Sequence, residues 1–254
     1  MNPLRRKFIK DLAITGLVAS GIPPISYSES TIKSIKPKAG KGEVFLFQGD
    51  SITDGNRGRN NDPNHIMGHG YAFSIASRLG ADHPEMQYQF INRGVSGNTI
   101  IDMARRWQTD TIDLKPDILS ILIGINDATS AIFHWDHAVT VSQYEQVFID
   151  LLSQTLEKYP DIFLVLCEPF ILKVGHVAEN WEAYHRDISE RQGIVRRLAE
   201  QYQAVFVGFQ EVFDEASRET NADYWIWDGI HPTVAGHELM AREWMKRVKK
   251  NLVI

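Results

Sequence analysis

The chain has 254 residues, of which 43% are hydrophobic and 23% are charged, and its formal net charge at pH 7 is −5. This composition is typical of a soluble globular protein with one large core. The acidic balance offers no electrostatic attraction to nucleic acid or to an anionic membrane surface, so neither is expected as a partner. Cys167 is the single cysteine, which excludes an intramolecular disulfide, and its apolar neighbours predict a buried structural thiol.

Residues 1–28 have the pattern of a bacterial export signal. A basic head containing Arg5 and Arg6 precedes an apolar stretch, residues 12–22, that is too short to span a bilayer stably. The paired arginines followed by Phe-Ile-Lys resemble the twin-arginine signal, although Leu4 stands where that signal usually has Ser or Thr. We therefore predict export to the bacterial periplasm or the cell exterior, with no stable membrane insertion after signal removal. A docked amphipathic helix or a retained anchor is the alternative.

After this signal the sequence predicts a linker and one domain. Residues 29–42 are rich in lysine, serine and proline without periodicity, as in a linker or a loosely attached lead-in. Residues 43–254 form the predicted domain, because the segment contains no internal repeat, low-complexity run or second composition class.

Apolar segments alternate with helical periodicity through this domain. The predicted strands are about Val44–Gln48, Tyr88–Asn92, Ile118–Ile123, Ile162–Cys167 and Ala204–Val207. The predicted helices are about Tyr71–Leu79, Asn98–Met103, Arg105–Asp113, Val141–Lys158, Trp181–Tyr202, Gln210–Arg218 and Val234–Leu252. This alternation predicts an α/β fold with a parallel sheet of about five strands and helices on both faces.

Polar segments follow the predicted strands. In a parallel α/β sheet ligands bind beyond the carboxyl ends of the strands, so these segments are expected to converge. They are Gly49-Asp50-Ser51-Ile52, Asn92-Arg93-Gly94-Val95-Ser96-Gly97 and Gly124-Ile125-Asn126-Asp127, with Asp228-Gly229-Ile230-His231-Pro232 just before the last predicted helix.

These segments contain the residue types of a serine hydrolase. Ser51 is the candidate nucleophile, and His231 is the candidate base because neutral imidazole accepts a proton near pH 7. Asp228 can orient the other imidazole nitrogen if the segment turns, which Gly229 favours. The backbone N–H groups of Ser51 and Gly94 and the side-chain amide of Asn126 are the candidate donors of an oxyanion hole.

Each segment taken alone also fits a structural role. A strand followed by Gly49-Asp50-Ser51 is an ordinary turn, Asn126-Asp127 is a common helix cap, and residues 228–231 suit a helix-start turn. The remaining loop histidines lack metal-site spacing with a carboxylate and are predicted to be surface residues. They are His65, His69, His134 and His137.

Taken together, the four segments resemble the conserved blocks of the SGNH (GDSL-type) hydrolases, which are esterases. Their order and spacing agree from about Val44 to the end of the chain, and Ile52 stands where the name-giving motif has Leu. The resemblance implies a flavodoxin-like three-layer α/β/α fold and a Ser-His-Asp triad. It also implies ester hydrolysis through an acyl-enzyme, without a metal or other cofactor.

The sequence specifies the substrate less closely than it specifies the reaction. Glu168 is a candidate substrate-binding residue because it follows the fourth strand at the same edge of the sheet, although this position also suits a simple strand exit. Trp227 is the second candidate, since aromatic rings stack on sugar faces, although tryptophan is more often packing. A long polar loop, residues 56–69, and the lack of an extended apolar lid favour a small acyl group on a polar alcohol. With export and the resemblance to secreted carbohydrate esterases, we predict deacetylation of a glycan.

Three alternatives stay open from the sequence. The same family contains lysophospholipases, thioesterases and arylesterases, which would prefer longer acyl chains. A noncatalytic glycan-binding member on the same scaffold would bind without turnover. Acyl transfer to an alcohol would use the same nucleophile as hydrolysis.

Overall fold

The computed structural model describes residues 39–60 and 62–253. The predicted export signal, residues 1–28, lies outside the described residues, as does most of the predicted linker. Ala39 is buried, its N–H donates to the Val253 carbonyl (2.9 Å), and the N–H of Gly42 donates to Met86 (2.7 Å). The packed domain therefore includes residues 39–42, which the sequence had assigned to the lead-in.

Five parallel strands form one sheet, in the order β2-β1-β3-β4-β5. The strands are β1 (Val44–Gly49), β2 (Gln89–Asn92), β3 (Ile118–Leu122), β4 (Phe163–Cys167) and β5 (Val205–Val207). This order is that of the flavodoxin-like folds, in which the strand order reverses between β1 and β3. The predicted fold class and all five predicted strands are confirmed.

Helices occupy the connections between the strands and the segment after β5. They are α1 (Ser51–Asp54), α2 (Tyr71–Asp82), α3 (Ile100–Arg105), α4 (Ile125–Ile132), α5 (Val141–Lys158), α6 (Gly175–Glu179), α7 (Trp181–Gln201), α8 (Phe209–Ala216), α9 (Ala222–Trp225) and α10 (Val234–Asn251). α5 has the predicted bounds because Thr140 and Gln143 form a capping box, in which each side chain accepts the other's backbone N–H. Lys158 then precedes a tyrosine-proline pair that ends the helix.

Side chains alternate across the sheet and divide the core into two layers. Phe45 and Phe47 of β1 face α2, α8 and α10, whereas Leu46 faces α5 and α7. All three are at most 1% exposed, and burying each such side chain stabilises the fold by about 1.5–3 kcal/mol. Cys167 is also buried, which raises its pKa to about 12, so the prediction of a structural thiol is confirmed.

Some short elements differ from the prediction. Residues 125–132, directly after β3, form α4, and residues 108–112 form a π-helical turn within the predicted helix Arg105–Asp113. α9 interrupts the loop predicted at residues 219–232. Short helices have few apolar positions with which to show a period. The sequence did not predict α4 and α9, whereas it did predict the similarly short α3 and α8. Within the described ranges, no helix is long and apolar enough to cross a membrane.

Candidate active site

Ser51 begins a short helix at the carboxyl end of β1. The side chain of Asp50 accepts the N–H of Ile52 (3.0 Å) and thereby caps α1. Gly49 can lie this close to the end of β3 because it lacks a Cβ, which would lie 2.3 Å from the carbonyl oxygen of Leu122. The sequence therefore places the Ser51 hydroxyl directly at the edge of the sheet.

Ser51, His231 and Asp228 form one chain of hydrogen bonds. Ser51 Oγ lies 2.9 Å from His231 Nε2, and His231 Nδ1 lies 2.7 Å from Asp228 Oδ2. The other carboxylate oxygen, Asp228 Oδ1, accepts the N–H groups of Ile230 (2.9 Å) and His231 (2.7 Å). The fold thus brings the predicted nucleophile to the predicted base, which lies 180 residues away in the chain, and so to the predicted acid.

The charges of this pair follow from the hydrogen bonds. Burial alone would raise the pKa of Asp228, but the bonds from the His231 ring and from the backbone N–H groups together lower that pKa to about 2. The hydrogen bond to Asp228 raises the pKa of His231, against the opposing effect of burial. An ionised carboxylate only accepts, so Nδ1 carries the hydrogen and Nε2 accepts from Ser51.

Asp50 adds a second buried carboxyl group beside the serine. It is 1% exposed, and burial raises its pKa to about 7, with a smaller upward contribution from the charge of Asp127. Its hydrogen bond to Ile52 and the proximity of His231 act in the opposite direction. The charge of Asp50 in turn favours the protonated form of His231.

Two of the predicted oxyanion donors are available. Ser51 occupies the first position of α1, and its N–H makes no hydrogen bond to another described residue. Asn126 lies in the first turn of α4, and its Nδ2 donates one hydrogen to the carbonyl of Asn98 (3.0 Å). Since an amide has two hydrogens on this atom, the second remains for a ligand.

The structure does not support the predicted role of Gly94. Its N–H already donates to the buried Oδ1 of Asn92 (2.9 Å). A Cβ on Gly94 would lie 2.3 Å from the backbone nitrogen of Asp54, so this glycine permits close packing against α1. Three residues later, Gly97 has a φ of +82°, and its N–H makes no hydrogen bond within the described chain. Sequence reasoning selected Gly94 from the segment 92–97, because no local pattern shows which glycine keeps a free N–H.

The two predicted substrate residues differ in position. The Glu168 carboxylate accepts the N–H of Gln210 (3.1 Å) and lies 3.4 Å from Arg196. All three residues line a polar cavity of about 460 Å³, whereas Ser51, His231 and Asp228 do not line it. It is not placed beside Ser51. Trp227 is 64% exposed, and its ring lies nearly parallel to that of His231, with centroids 6.5 Å apart.

The other predicted histidines lie at the surface. All four predicted surface histidines are exposed, and no group of at least three His, Cys, Asp or Glu residues in the described ranges could hold a metal ion. Sequence reasoning missed His237, whose Nδ1 accepts the N–H of Tyr71 (3.1 Å). Burial, and then the nearby His69 and His231, lower the pKa of His237 to about 4, so it is neutral at pH 7.

Residues 47–239 match the model of the GDSL-like lipase/acylhydrolase family. The chain belongs to this family. A crystal structure from Parabacteroides merdae assigned as a GDSL-like lipase is 38% identical, with a TM-score of 0.80, covering 85% of this chain and 99% of that one. The prediction that the chain is a serine esterase of the GDSL type is thereby confirmed.

A second similar protein is an acetylxylan esterase from Geobacillus stearothermophilus. It is 33% identical over 216 residues, which cover 83% of this GDSL-family chain and 96% of the relative. Two solved variants of that esterase, one with a serine and one with a histidine replaced by alanine, are described as catalytic mutants. They have TM-scores of 0.73 and 0.74 at 32% identity, over 83% of this chain and 96% of theirs.

Proposed function

We propose that this esterase removes acetyl groups from carbohydrate through a covalent acyl-enzyme, with Ser51, His231 and Asp228 as its catalytic triad. The observation that carries the proposal is the continuous hydrogen-bond chain from Ser51 Oγ through His231 to Asp228. The catalytic mutants of the similar acetylxylan esterase, at a serine and a histidine, support the same pair of residue types.

The chemistry follows in two halves. His231 Nε2 takes the proton from Ser51 Oγ as the oxygen attacks the ester carbonyl, and the resulting imidazolium is stabilised by Asp228. His231 then donates that proton to the departing sugar oxygen, which leaves an acetyl-serine. In the second half His231 takes a proton from a water molecule as the water oxygen attacks the acyl-enzyme. His231 then returns that proton to Ser51 Oγ as the acetyl–serine bond breaks, which releases acetic acid and the free serine.

We propose Ser51 N–H, Gly97 N–H and Asn126 Nδ2 as the oxyanion donors. The unused hydrogens of the three groups support this set, in which Gly97 replaces Gly94. Such donors act on the charge that develops on the carbonyl oxygen, so the loss of one typically costs about 10²- to 10³-fold in turnover.

A carbohydrate acetyl ester is the substrate class that the site favours. The exposed ring of Trp227 beside His231 offers a flat apolar surface of the kind that packs on a sugar ring. The similarity to an acetylxylan esterase points to the same class.

We also propose that the protein is exported through the signal at residues 1–28. N-terminal sequencing of the protein from separate cell fractions tests this proposal, and an uncleaved cytoplasmic protein contradicts it.

Product analysis of a defined ester panel tests the substrate. Acetylated xylo-oligosaccharides, p-nitrophenyl esters of increasing chain length and a lysophospholipid are compared by kcat/KM, with mass spectrometry of the products. We expect acetylated oligosaccharides to be preferred. Preference for long acyl chains indicates a lipolytic enzyme, binding without turnover indicates a noncatalytic member, and a new ester formed with an added alcohol indicates acyl transfer.

Replacement of Trp227 by alanine is expected to raise KM for acetylated xylo-oligosaccharides roughly 3- to 10-fold, since one aromatic contact is worth about 0.5–1.5 kcal/mol. KM for p-nitrophenyl acetate, which has no sugar ring, is expected to stay unchanged. Trp227→Phe retains a ring and should retain much of the affinity. Trp135→Ala removes another exposed indole, 42% accessible, and serves as the control. An equal KM increase for both substrates contradicts stacking on sugar.

Replacement of Asp228 by asparagine is expected to move the acidic limb of the kcat/KM profile to lower pH. The negative carboxylate stabilises the His231 imidazolium and raises its pKa; without that charge the pKa falls, and neutral imidazole persists at lower pH. Turnover on the plateau should fall about 10⁴-fold, because an asparagine NH₂ facing Nδ1 favours the tautomer that cannot accept from Ser51. A limb that stays in place or moves to higher pH contradicts this electrostatic role.

A further inference from the structure

The Arg106 side chain lies under the loop that follows β2. It is 16% exposed, and its guanidinium makes five hydrogen bonds to groups at the carboxyl ends of β1 and β2 and in the following segment. Four acceptors are neutral: Gln48 Oε1 (2.9 Å), Asn98 Oδ1 (2.7 Å) and the carbonyl oxygens of Arg93 (2.8 Å) and Gly49 (3.3 Å). The fifth is Asp110 Oδ2 (3.2 Å). Arg106 thus joins two strand ends to one loop.

Through Asn98, Arg106 is connected to the proposed oxyanion site. Arg106 Nε binds the side-chain oxygen of Asn98, and the backbone oxygen of the same residue accepts from Asn126 Nδ2. Gly97, the proposed second donor, is the immediate neighbour of Asn98 in the chain. One guanidinium therefore holds the peptide segment that carries one oxyanion donor and orients another.

The other side of this segment is held independently. Thr99 caps α3 through a capping box, and the N–H of Ile100 donates to the buried Oδ1 of Asp127 (2.9 Å). The second of these bonds joins α3 to α4 without involving Arg106. Arg106 instead fixes residues 97–98 against the end of β1, because it binds both Asn98 and Gly49. Ser51 begins α1 at this strand end.

We propose that Arg106 is a positioning residue for the oxyanion site, acting through Asn98 on Asn126 and Gly97. The proposal rests on the proposed function of Ser51, Gly97 and Asn126. Its physical reason is that oxyanion donors must be aimed at the transition-state oxygen, and a displacement of about 1 Å can cost about 10²-fold in rate. A guanidinium has five N–H donors in a fixed fork, and a lysine ammonium has three on a flexible stem.

The first measurement compares kcat and KM of three variants on p-nitrophenyl acetate. Arg106→Met and Arg106→Lys are expected to lower kcat about 10- to 10²-fold, with KM changed by less than about 2-fold. Arg105→Gln is the matched control, because that neighbouring arginine is 72% exposed and pairs only with Asp102 in the described structure. It should match the wild type. Unchanged kcat in folded Arg106→Met, or a change confined to KM, overturns the proposal.

A double-mutant cycle with Asn126→Ala separates positioning from general loosening of the fold. Asn126→Ala alone should lower kcat about 10²-fold or more. In that background the further effect of Arg106→Met should be smaller than in the wild type, since one of the two donors that it positions is already absent. If the kcat decreases of Arg106→Met and Asn126→Ala multiply fully in the double variant, the proposal is overturned. Unchanged kcat in Asn126→Ala alone also overturns it, because Arg106 would then have no amide to orient.

Asn98→Ala keeps the test valid if Arg106→Met fails to fold. This change removes only the side-chain acceptor of Arg106 Nε and leaves the backbone oxygen that binds Asn126. A kcat decrease that Asn98→Asp restores supports positioning, whereas unchanged kcat overturns it. A separate measurement shows whether the proposed function itself is wrong. In that case folded Ser51→Ala retains its turnover, regardless of the results for the Arg106 variants.

Discussion

Replacement of Ser51 by alanine is expected to lower kcat on acetyl esters by a factor on the order of 10⁶. The hydroxyl oxygen forms the bond to the acyl group, so without it only the weak catalysis provided by substrate binding and the oxyanion donors remains. The measurement is turnover of p-nitrophenyl acetate by purified protein, with thermal unfolding as a check of the fold.

The Ser51→Ala protein should remain folded, because the Asp50 cap of α1 does not involve the hydroxyl. The lost hydrogen bond to His231 is worth about 0.5–1.5 kcal/mol in stability. Ser77→Ala, at an exposed position on α2, is the matched control and should keep full activity. Near wild-type turnover by folded Ser51→Ala would exclude a Ser51 acyl-enzyme.

Replacement of His231 by alanine is expected to reduce kcat by a similar factor, on the order of 10⁶, because the serine then has no base. The Ser51→Ala/His231→Ala double variant should be no slower than either single variant, since the two residues act as one unit. Turnover of p-nitrophenyl acetate by all three variants provides the comparison.

The control for this series is His137→Ala, which removes an exposed imidazole from the loop after α4. We expect wild-type turnover from it. If the Ser51 and His231 effects multiply, the two residues act independently, and the proposed transfer of a proton from Ser51 Oγ to His231 Nε2 is wrong.

Much of the fold was predictable because its elements are long and strongly patterned. The strands are apolar runs that end at glycine, proline or polar residues, and α5 has both a clear stripe and a capping box. Short helices show a helical period poorly, so α4 and α9 were not predicted, although the short helices α3 and α8 were.

The side chains of the candidate site could be predicted from residue type. The backbone N–H donors could not, because they depend on the direction of the folded backbone. Ser51, His231 and Asp228 were selected as nucleophile, base and orienting acid, and their hydrogen bonds now connect them. Gly94 was selected as a donor, but its N–H is bound to Asn92. Whether a particular N–H is free depends on the partners that the folded chain brings to it.

The amino-acid sequence by itself determined the class of protein and the chemistry available to it. Strand periodicity and the polar segments at strand ends are local properties, and they specify a parallel sheet with a serine, a histidine and an aspartate at one edge.

Only the tertiary structure decided which donors are free and what holds them. Gly97 rather than Gly94 has an unused N–H, Glu168 belongs to a separate cavity, and Arg106 supports the loop beside Asn126 through Asn98. These relations join residues far apart in the chain. Their geometry arises from packing and hydrogen bonding across the sheet, which no local pattern records.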